Sequence, residues 1–388
     1  MDARNIGLRN IEVADTKICS IDGESGKLIY RGYDILDLVN HSRFEETAYL
    51  LLFGDLPSAD ELSDFSRRLR EARSVPEPIL KNLKNRPKRA KPMDVLQSCV
   101  AELADYDLII EEDTKESNIR RAIILIAKIP TIVAAWSRIR SGQQPVDALK
   151  NGTHATNFLY MLRGIEPSQE EAKVFDICLI LHAEHSFNAS TFAAREIAST
   201  RAHMYASISG ATGALSGELH GGANIQVMKM LLEIGEPVNV EKWVENKLRH
   251  GDRIMGMGHA VYKTLDPRAD ILSRLSRAMS KEKGTKWFEI TERVEKATKR
   301  YMLENKKQSI YPNVDLYSAS LYYSMGIPMD LNTPIFAISR IAGWCAHVIE
   351  EKFAQAAPKP ALYRPKATYV GKYCGPMGCE YTPIQNRI

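Results

Sequence analysis

The stretch EEAKVFDICLILHAEHS, residues 170–186, decides the class of fold. Side chains in it recur at the three- and four-residue spacing of one face of an α-helix, and these are Val174, Ile177, Cys178, Leu181 and His185. The stretch lies inside the long proline-free run between Pro167 and Pro237. Because proline interrupts helices, this part of the chain is predicted to be helical throughout.

Helical spacing continues over most of the chain. Helices are predicted at 35–39, 44–53, 59–72, 93–104, 118–141, 170–186, 191–204, 224–234, 266–281, 286–305 and 333–353. Asp266 before Pro267 and Thr333 before Pro334 predict that two of them begin there, each with a capping side chain. Strand-like alternation is scarce, and its best candidate is KICSIDGESGKLIY, residues 17–30. The sequence therefore predicts a nearly all-α fold with a small N-terminal β-hairpin.

Composition is that of an ordinary globular protein, with 388 residues, 44% hydrophobic and 26% charged. The length predicts two or three domains, or one large domain with a smaller one attached. A net charge of +4 with scattered Lys and Arg gives no indication of a nucleic-acid partner. The first residues lack an apolar signal core, and the longest uncharged stretch, 202–217, contains three glycines. We therefore expect a soluble, unsecreted protein without a membrane span.

Six cysteines are dispersed along the chain without a CxxC pair, so neither zinc nor another resident metal is expected. Cys374 and Cys379 lie in a polar C-terminal segment. A bridge from either of them to Cys19 would tie the two ends of the chain together.

The segment LSGELHGGAN, residues 215–224, places His220 ahead of two glycines and a predicted helix. The positive end of a helix disfavours an imidazolium, so we expect a neutral histidine that donates a hydrogen bond to a carbonyl group. A turn histidine without a role is the alternative.

The segment RIMGMGHAVYKTLDPR, residues 253–268, does not fit a dinucleotide fingerprint, because Val261 stands where the third glycine belongs. Two glycines with His259, Lys263 and Arg268 instead predict an anion-binding loop. A solvated basic loop is the alternative.

Asp315 follows a predicted N-cap at Asn313 and lies in the first turn of a helix, where a charged carboxylate is favoured. Together with a neutral histidine donor, it could take a proton from a carbon next to a carbonyl group. Equally, it could be an ordinary acid at a helix start.

Two other side chains are candidate ligands. His185, near the end of its predicted helix, is the better ligand candidate, whereas His182 is interpreted as a core histidine. Arg340 lies on a helix that is apolar on nearly every side, and a buried guanidinium needs an anion. The sequence leaves open whether the anion belongs to the protein or to a substrate.

Taken together, the motifs LHAEHSFNAST, LHGGAN, GMGHAVYKTLDPR, NVD and RPKATYVG resemble the citrate synthase family, and the resemblance covers nearly the whole chain. It implies a nearly all-α protein in which a small domain, 222–325, closes over a large domain, 1–221 and 326–388. It also implies a cytoplasmic enzyme that condenses acetyl-CoA with oxaloacetate and hydrolyses the thioester to citrate and CoA. No permanently bound cofactor is implied.

The resemblance also implies residue roles. Asp315 corresponds to the base that deprotonates acetyl-CoA, His220 to the donor that stabilises the enol, and His259 to the group that polarises the oxaloacetate carbonyl. Oxaloacetate ligands would be His185, Arg268, Arg340 and, donated by the partner subunit of a homodimer, Arg364. Coenzyme A would be held by Arg253, Ile254, Met255, Gly256, Met257, Gly258 and Lys263.

Two alternative functions remain open. A 2-methylcitrate synthase would use propionyl-CoA, and one added methylene changes binding by only about 1–3 kcal/mol. An inactive ligand-binding or regulatory homologue is the alternative from another class, although the intact His220, His259 and Asp315 argue against it.

Overall fold

The computed structural model describes residues 6–8, 11–372 and 375–387. This part of the chain contains three short strands and sixteen α-helices. The helices are α1 Ile35–His41, α2 Phe44–Phe53, α3 Ala59–Glu71, α4 Glu77–Asn85, α5 Pro92–Glu102, α6 Lys115–Arg140, α7 His154–Arg163, α8 Gln169–His182, α9 Ala189–Ser199, α10 Met204–Leu215, α11 Ala223–Ile234, α12 Val240–Arg249, α13 Pro267–Glu282, α14 Trp287–Lys306, α15 Val314–Ser324 and α16 Asn332–Lys352. The predicted, nearly all-α class is confirmed.

The predicted hairpin is confirmed as well. Strand β1, Cys19–Asp22, pairs antiparallel with β2, Lys27–Tyr30, so that Asp22 lies opposite Lys27 across a four-residue turn. A two-residue strand β3, Tyr33–Asp34, extends the sheet. Leu28 and Tyr30 are fully buried, which anchors the hairpin to the helical core.

Two predicted helices in the site-forming region have the wrong extent. Helix α8 ends at His182 rather than at residue 186, with Ala183 as its C-cap, and Ser186 beyond it has a left-handed backbone conformation, φ 49°. The predicted helix 191–204 ends as α9 at Ser199, and Arg201 beyond it is also left-handed, φ 66°. Only residue 204 belongs to the next helix, α10, which His203 caps by accepting the N–H of Ala206 at 3.1 Å. The resulting loop between α8 and α9 carries His185.

Helices α4, α7, α10 and α12 were not predicted. Of the two predicted capped starts, Asp266 is confirmed, since its carboxylate accepts the N–H of Arg268 at 3.0 Å. The start at Thr333 is wrong, because α16 begins at Asn332 and the Thr333 hydroxyl instead donates to the carbonyl of Gly221 at 2.8 Å.

The core is built around α16, which is buried over nearly its whole length and packs against α2, α6, α8, α9 and α10. Helix α6 is long and apolar enough to cross a membrane by length and composition, but most of it is buried inside the protein.

Helices α11 to α15 pack mainly on one another, α13 against α15 and α12 against α14. They meet the α16 core through Asn224, whose side-chain oxygen accepts a hydrogen bond from Asn332 at 2.6 Å. The candidate site lies along this junction.

A bridge between Cys19 and the C-terminal cysteines is not formed. Cys19 is a free, buried thiol on β1, and Cys379 is disulfide-bonded. Cys374 lies outside the described residues.

Candidate active site

A cavity of about 650 Å³ opens between the loop after α8, the N-terminus of α15 and helix α16. Six of the residues singled out from the sequence line it together, namely His185, His220, His259, Arg268, Asp315 and Arg340. They come from five segments of the chain, since only His259 and Arg268 share one, so the fold and not sequence proximity assembles them.

His220 is held by the N-terminus of α9. Its Nε2 accepts the backbone N–H of Ser190 at 3.2 Å and lies 2.8 Å from the Ser190 hydroxyl. An acceptor nitrogen carries no proton, so the proton of the neutral ring is on Nδ1. Burial, with a smaller contribution from the charge of Arg340, lowers the pKa of His220 to about 4. The ring is therefore neutral, as predicted, although the helix start that contacts it is that of α9 and not α11.

His259 has the opposite arrangement. Its Nδ1 accepts the backbone N–H groups of Val261, at 2.9 Å, and Tyr262, at 3.1 Å, so Nε2 carries the proton. Burial first and Arg268 second lower the pKa of His259 to about 4, while Asp266 opposes them. This ring is a second neutral N–H donor at the cavity.

Asp315 lies in the first turn of α15, and its backbone N–H donates to the capping side chain of Asn313 at 2.9 Å, as predicted. The helix start was expected to favour the charged carboxylate, but the effect of burial on the Asp315 pKa is larger. Burial raises the pKa of Asp315 to about 6, against the opposing charge of Arg268. A carboxylate with this pKa is ionised at neutral pH and is a stronger base than an ordinary aspartate.

His185 and Tyr262 pack beside these groups. The His185 Nε2 lies 3.3 Å from the Tyr262 hydroxyl, and the His185 ring meets the His259 ring edge-on at 5.5 Å between centroids. Burial, followed by the charges of Arg268 and Arg340, lowers the pKa of His185 well below its ordinary value. His182, by contrast, is a core histidine as predicted, with Nδ1 2.7 Å from the carbonyl of Cys178.

The two buried arginines differ in their partners. Arg268 donates from Nε and Nη2 to the carboxylate of Asp266, at 3.0 and 2.8 Å. Arg340 is 1% exposed and donates from Nε to the carbonyl of His182 at 2.7 Å. No carboxylate among the described residues lies within 4.0 Å of Arg340. Since a buried guanidinium needs an anion, this arrangement favours an anionic ligand over a protein carboxylate.

A second cavity of about 670 Å³ shares the wall formed by Ala223, Gly258 and His259 with the first. All six residues of the predicted loop 253–258 line it. Gly256 and Gly258 are left-handed, φ 81° and 87°, which favours glycine at both. The loop is tied to the start of α15, because the N–H of Asn313 donates to the carbonyl of Gly256 at 2.9 Å.

Two predicted site residues are not brought to these cavities. Lys263 is exposed and forms an ion pair with Glu24, and Lys306 is the lysine that lines the second cavity. Arg364 lies on the exposed C-terminal segment and is not part of the wall of its own chain's first cavity.

Three residues that hold the predicted ones in place are not themselves predicted as site residues, namely Ser190, Tyr262 and Asp266. The sequence predicts Asp266 only as a helix cap, although a carboxylate two residues before an arginine is a detectable signal. The roles of Ser190 and Tyr262 depend on backbone N–H groups, for which side-chain patterns give no signal. Within the described ranges, no group of three or more His, Cys, Asp or Glu side chains is arranged to hold a metal ion.

Comparison with known proteins places the chain in a family. The family described as "Citrate synthase, C-terminal domain" matches residues 7–366. A citrate synthase of Haloferax volcanii is 41% identical over 98% of both chains, and a citrate/2-methylcitrate synthase of Bacillus subtilis is 38% identical over 94% of this chain and 96% of its own. The ternary complex of the Thermoplasma acidophilum citrate synthase with carboxymethyl coenzyme A and oxaloacetate superposes with a TM-score of 0.90, at 31% identity and 98% coverage of each chain.

The relatives that match this chain over nearly its whole length are citrate synthases, so the chain is an acyltransferase. The chain belongs to the citrate synthase family.

Proposed function

We propose that the first cavity is where this chain condenses acetyl-CoA with oxaloacetate, and that the second cavity holds coenzyme A. The observation that carries the proposal is the complementary pair of histidines. Backbone donors occupy Nε2 of His220 and Nδ1 of His259, which leaves one N–H on each ring for a ligand oxygen.

Three groups divide the chemistry. The Asp315 carboxylate removes a proton from the methyl carbon of the acetyl group, while the Nδ1–H of His220 donates to the thioester oxygen as it gains charge. The new carbon nucleophile attacks the ketone carbon of oxaloacetate. The Nε2–H of His259 donates to the ketone oxygen and transfers its proton as that oxygen becomes the hydroxyl of the product. Water then hydrolyses the thioester to citrate and CoA.

Charge complementarity supports oxaloacetate as the ligand of the first cavity. The dianion has two carboxylates, and the cavity offers Arg340, which has no carboxylate among the described residues within 4.0 Å, and Arg268, shared with Asp266. His185, buried and neutral, adds a further polar contact. Guanidinium groups pair bidentately with carboxylates, so the cavity selects a small di-acid over a neutral ketone.

Coenzyme A fits the second cavity because all residues of the glycine loop 253–258 line it. Arg253 and Lys306 are the cations on its wall and are available to the CoA phosphates. Lys263, paired with Glu24, is not available in this arrangement. We infer that the shared wall at Ala223 and Gly258 is where the acyl group passes from one cavity to the other.

The proposal includes two further parts, closure of a small domain over the site and formation of a homodimer. Residues 222–325 pack mainly on one another and would form the small domain, hinged at Gly222 and Gly326. Arg364, exposed on its own chain, would reach the site of a partner subunit as the third guanidinium. The cytoplasmic location stays a prediction from the sequence.

A second candidate function has one specific observation in its favour. The 38% identical Bacillus subtilis relative is named a citrate/2-methylcitrate synthase. We therefore propose propionyl-CoA as the competing acyl donor, with the same residues in the same roles.

Thiol release from acetyl-CoA and from propionyl-CoA, each with and without oxaloacetate, tests both candidates. The proposal expects release only with oxaloacetate, and faster from acetyl-CoA. A larger kcat/KM for propionyl-CoA would establish the second candidate, and no oxaloacetate-dependent release from either ester would refute both.

A further inference from the structure

The turn of the N-terminal hairpin, residues 22–26, packs against the backbone that follows His259. A Cβ atom at Gly23 would lie 2.3 Å from the carbonyl oxygen of Val261, and one at Gly26 would lie 2.8 Å from that of Leu265. Neither position has room for a side chain unless the opposing backbone moves. The two glycines thus let the hairpin turn approach the 261–265 backbone directly.

Hydrogen bonds and charge reinforce this contact. The N–H of Lys263 donates to the carbonyl of Gly23 at 2.9 Å, and the Lys263 ammonium forms an ion pair with Glu24. The Asp22 carboxylate accepts the N–H groups of Glu24 and Ser25, at 2.9 and 3.1 Å. The turn is therefore fixed internally before it meets the loop.

The opposite edge of the same loop contacts the catalytic ring. Val261 and Tyr262 donate their N–H groups to Nδ1 of His259, while the carbonyl of Val261 and the N–H of Lys263 face Gly23. A displacement of these three residues by the turn would therefore disturb the hydrogen bonds of both donors to the ring.

We propose that the hairpin turn, acting through Gly23, is a positioning element for His259. It holds residues 261–263 so that Nδ1 stays an acceptor and the Nε2–H faces the cavity. The inference rests on the role proposed above for His259. It gives the turn of the hairpin and Lys263 a positioning role.

Gly23→Ala tests the contact, because Gly23 has no left-handed backbone conformation and alanine is strained there only by the collision with Val261. Gly32→Ala is the matched control. Gly32 lies in the next turn of the same sheet and is left-handed, φ 93°, but a Cβ there meets nothing within 4 Å. The control therefore weakens the hairpin without touching the His259 loop.

Nitrogen NMR of histidine-labelled protein, with His259 assigned from a His259→Gln sample, reports the tautomer and the titration midpoint directly. Loss of N–H donors to Nδ1 destabilises the neutral ring, so the midpoint of His259 should rise by at least about one pH unit in Gly23→Ala and stay at the parent value in Gly32→Ala. The groups facing His259, namely Asp266, Arg268, His185 and Tyr262, are the same in both variants. The kcat/KM for oxaloacetate should fall at least about 10-fold in Gly23→Ala only.

Asp22→Ala is the second variant, at an exposed position that should not prevent folding. It loosens the turn and removes a negative charge. Charge removal alone would lower the pKa of His259, so a rise would identify the loosened contact. Unchanged tautomer and midpoint in both Gly23→Ala and Asp22→Ala would overturn the inference. Near-parent activity of His259→Gln would instead refute the catalytic role of His259. The NMR measurement would still decide whether the hairpin turn sets the tautomer of the ring.

Discussion

The Nε2 atom of His220 accepts a hydrogen bond from the backbone N–H of Ser190, 3.2 Å away. Ser190 is the second residue of α9, so this N–H is one of the donors that a helix start leaves free. The contact links the orientation of the candidate enol donor to the beginning of a core helix.

This contact predicts the protonation state of His220. At pH 7 the ring should be neutral with its proton on Nδ1, because Nε2 is occupied and burial disfavours the imidazolium. Nitrogen NMR of labelled protein with oxaloacetate bound measures both properties. A charged ring, or a neutral ring protonated on Nε2, would contradict the proposed role.

The raised pKa of Asp315 predicts that the activity decreases at acidic pH. Its pKa is raised to about 6, and only the ionised form can act as the base. The kcat/KM for acetyl-CoA should therefore fall about tenfold per pH unit below pH 6. His220 and His259, with pKa values of about 4, stay neutral between pH 5 and 7 and do not contribute. A flat profile from pH 7 to 5, with circular dichroism showing folded protein, would be inconsistent with this assignment.

The burial of Arg340 predicts that its substitution weakens oxaloacetate binding without a matching loss of stability. Arg340→Gln should raise the KM for oxaloacetate about 30-fold or more, since losing a buried charge-assisted pair costs at least about 2 kcal/mol. The melting temperature of the empty protein should change little, because the substitution removes a buried charge that, in the described part of the chain, has no carboxylate within 4.0 Å and only the more distant charge of Glu184 to offset it. Arg67→Gln, on the exposed face of α3, is the control and should leave KM unchanged. An Arg340→Gln protein with parental KM would exclude Arg340 as an oxaloacetate ligand.

Arg364 predicts complementation between subunits. Mixing Arg364→Ala with Asp315→Asn protein should restore activity in heterodimers, because one of the two sites then holds both intact residues. Lys366→Ala, also exposed on the C-terminal segment, should be active without mixing. Mixed dimers verified by mass spectrometry that stay as inactive as their parents would show that Arg364 does not act across an interface.

The helical class and the hairpin could be predicted because their signals are local, a three-to-four residue period and a glycine turn between β-prone runs. The end of α8 could not. At that end Arg340, more than 150 residues away, donates from Nε to the carbonyl of His182. Residues 170–186 alone give no signal of this contact.

The candidate site shows the same division. Sequence spacing and family resemblance identified His220, His259 and Asp315, all of which line one cavity. The tautomers of the rings could not be predicted, because backbone N–H groups set them. The pKa of Asp315 was expected to follow the helix start, but burial dominates it, and burial depends on how the helices pack.

The catalytic role of Asp315 is tested most directly by kcat of Asp315→Asn at pH 8, beside Asp270→Asn as control. Asp270 also lies in the first turn of a helix, α13, but its side chain is exposed and pairs with Arg274. We predict that Asp315→Asn loses at least about 100-fold in kcat, with oxaloacetate affinity by calorimetry within about threefold of the parent, and that Asp270→Asn retains parental kcat. A kcat of Asp315→Asn within about threefold of the parent would contradict the account.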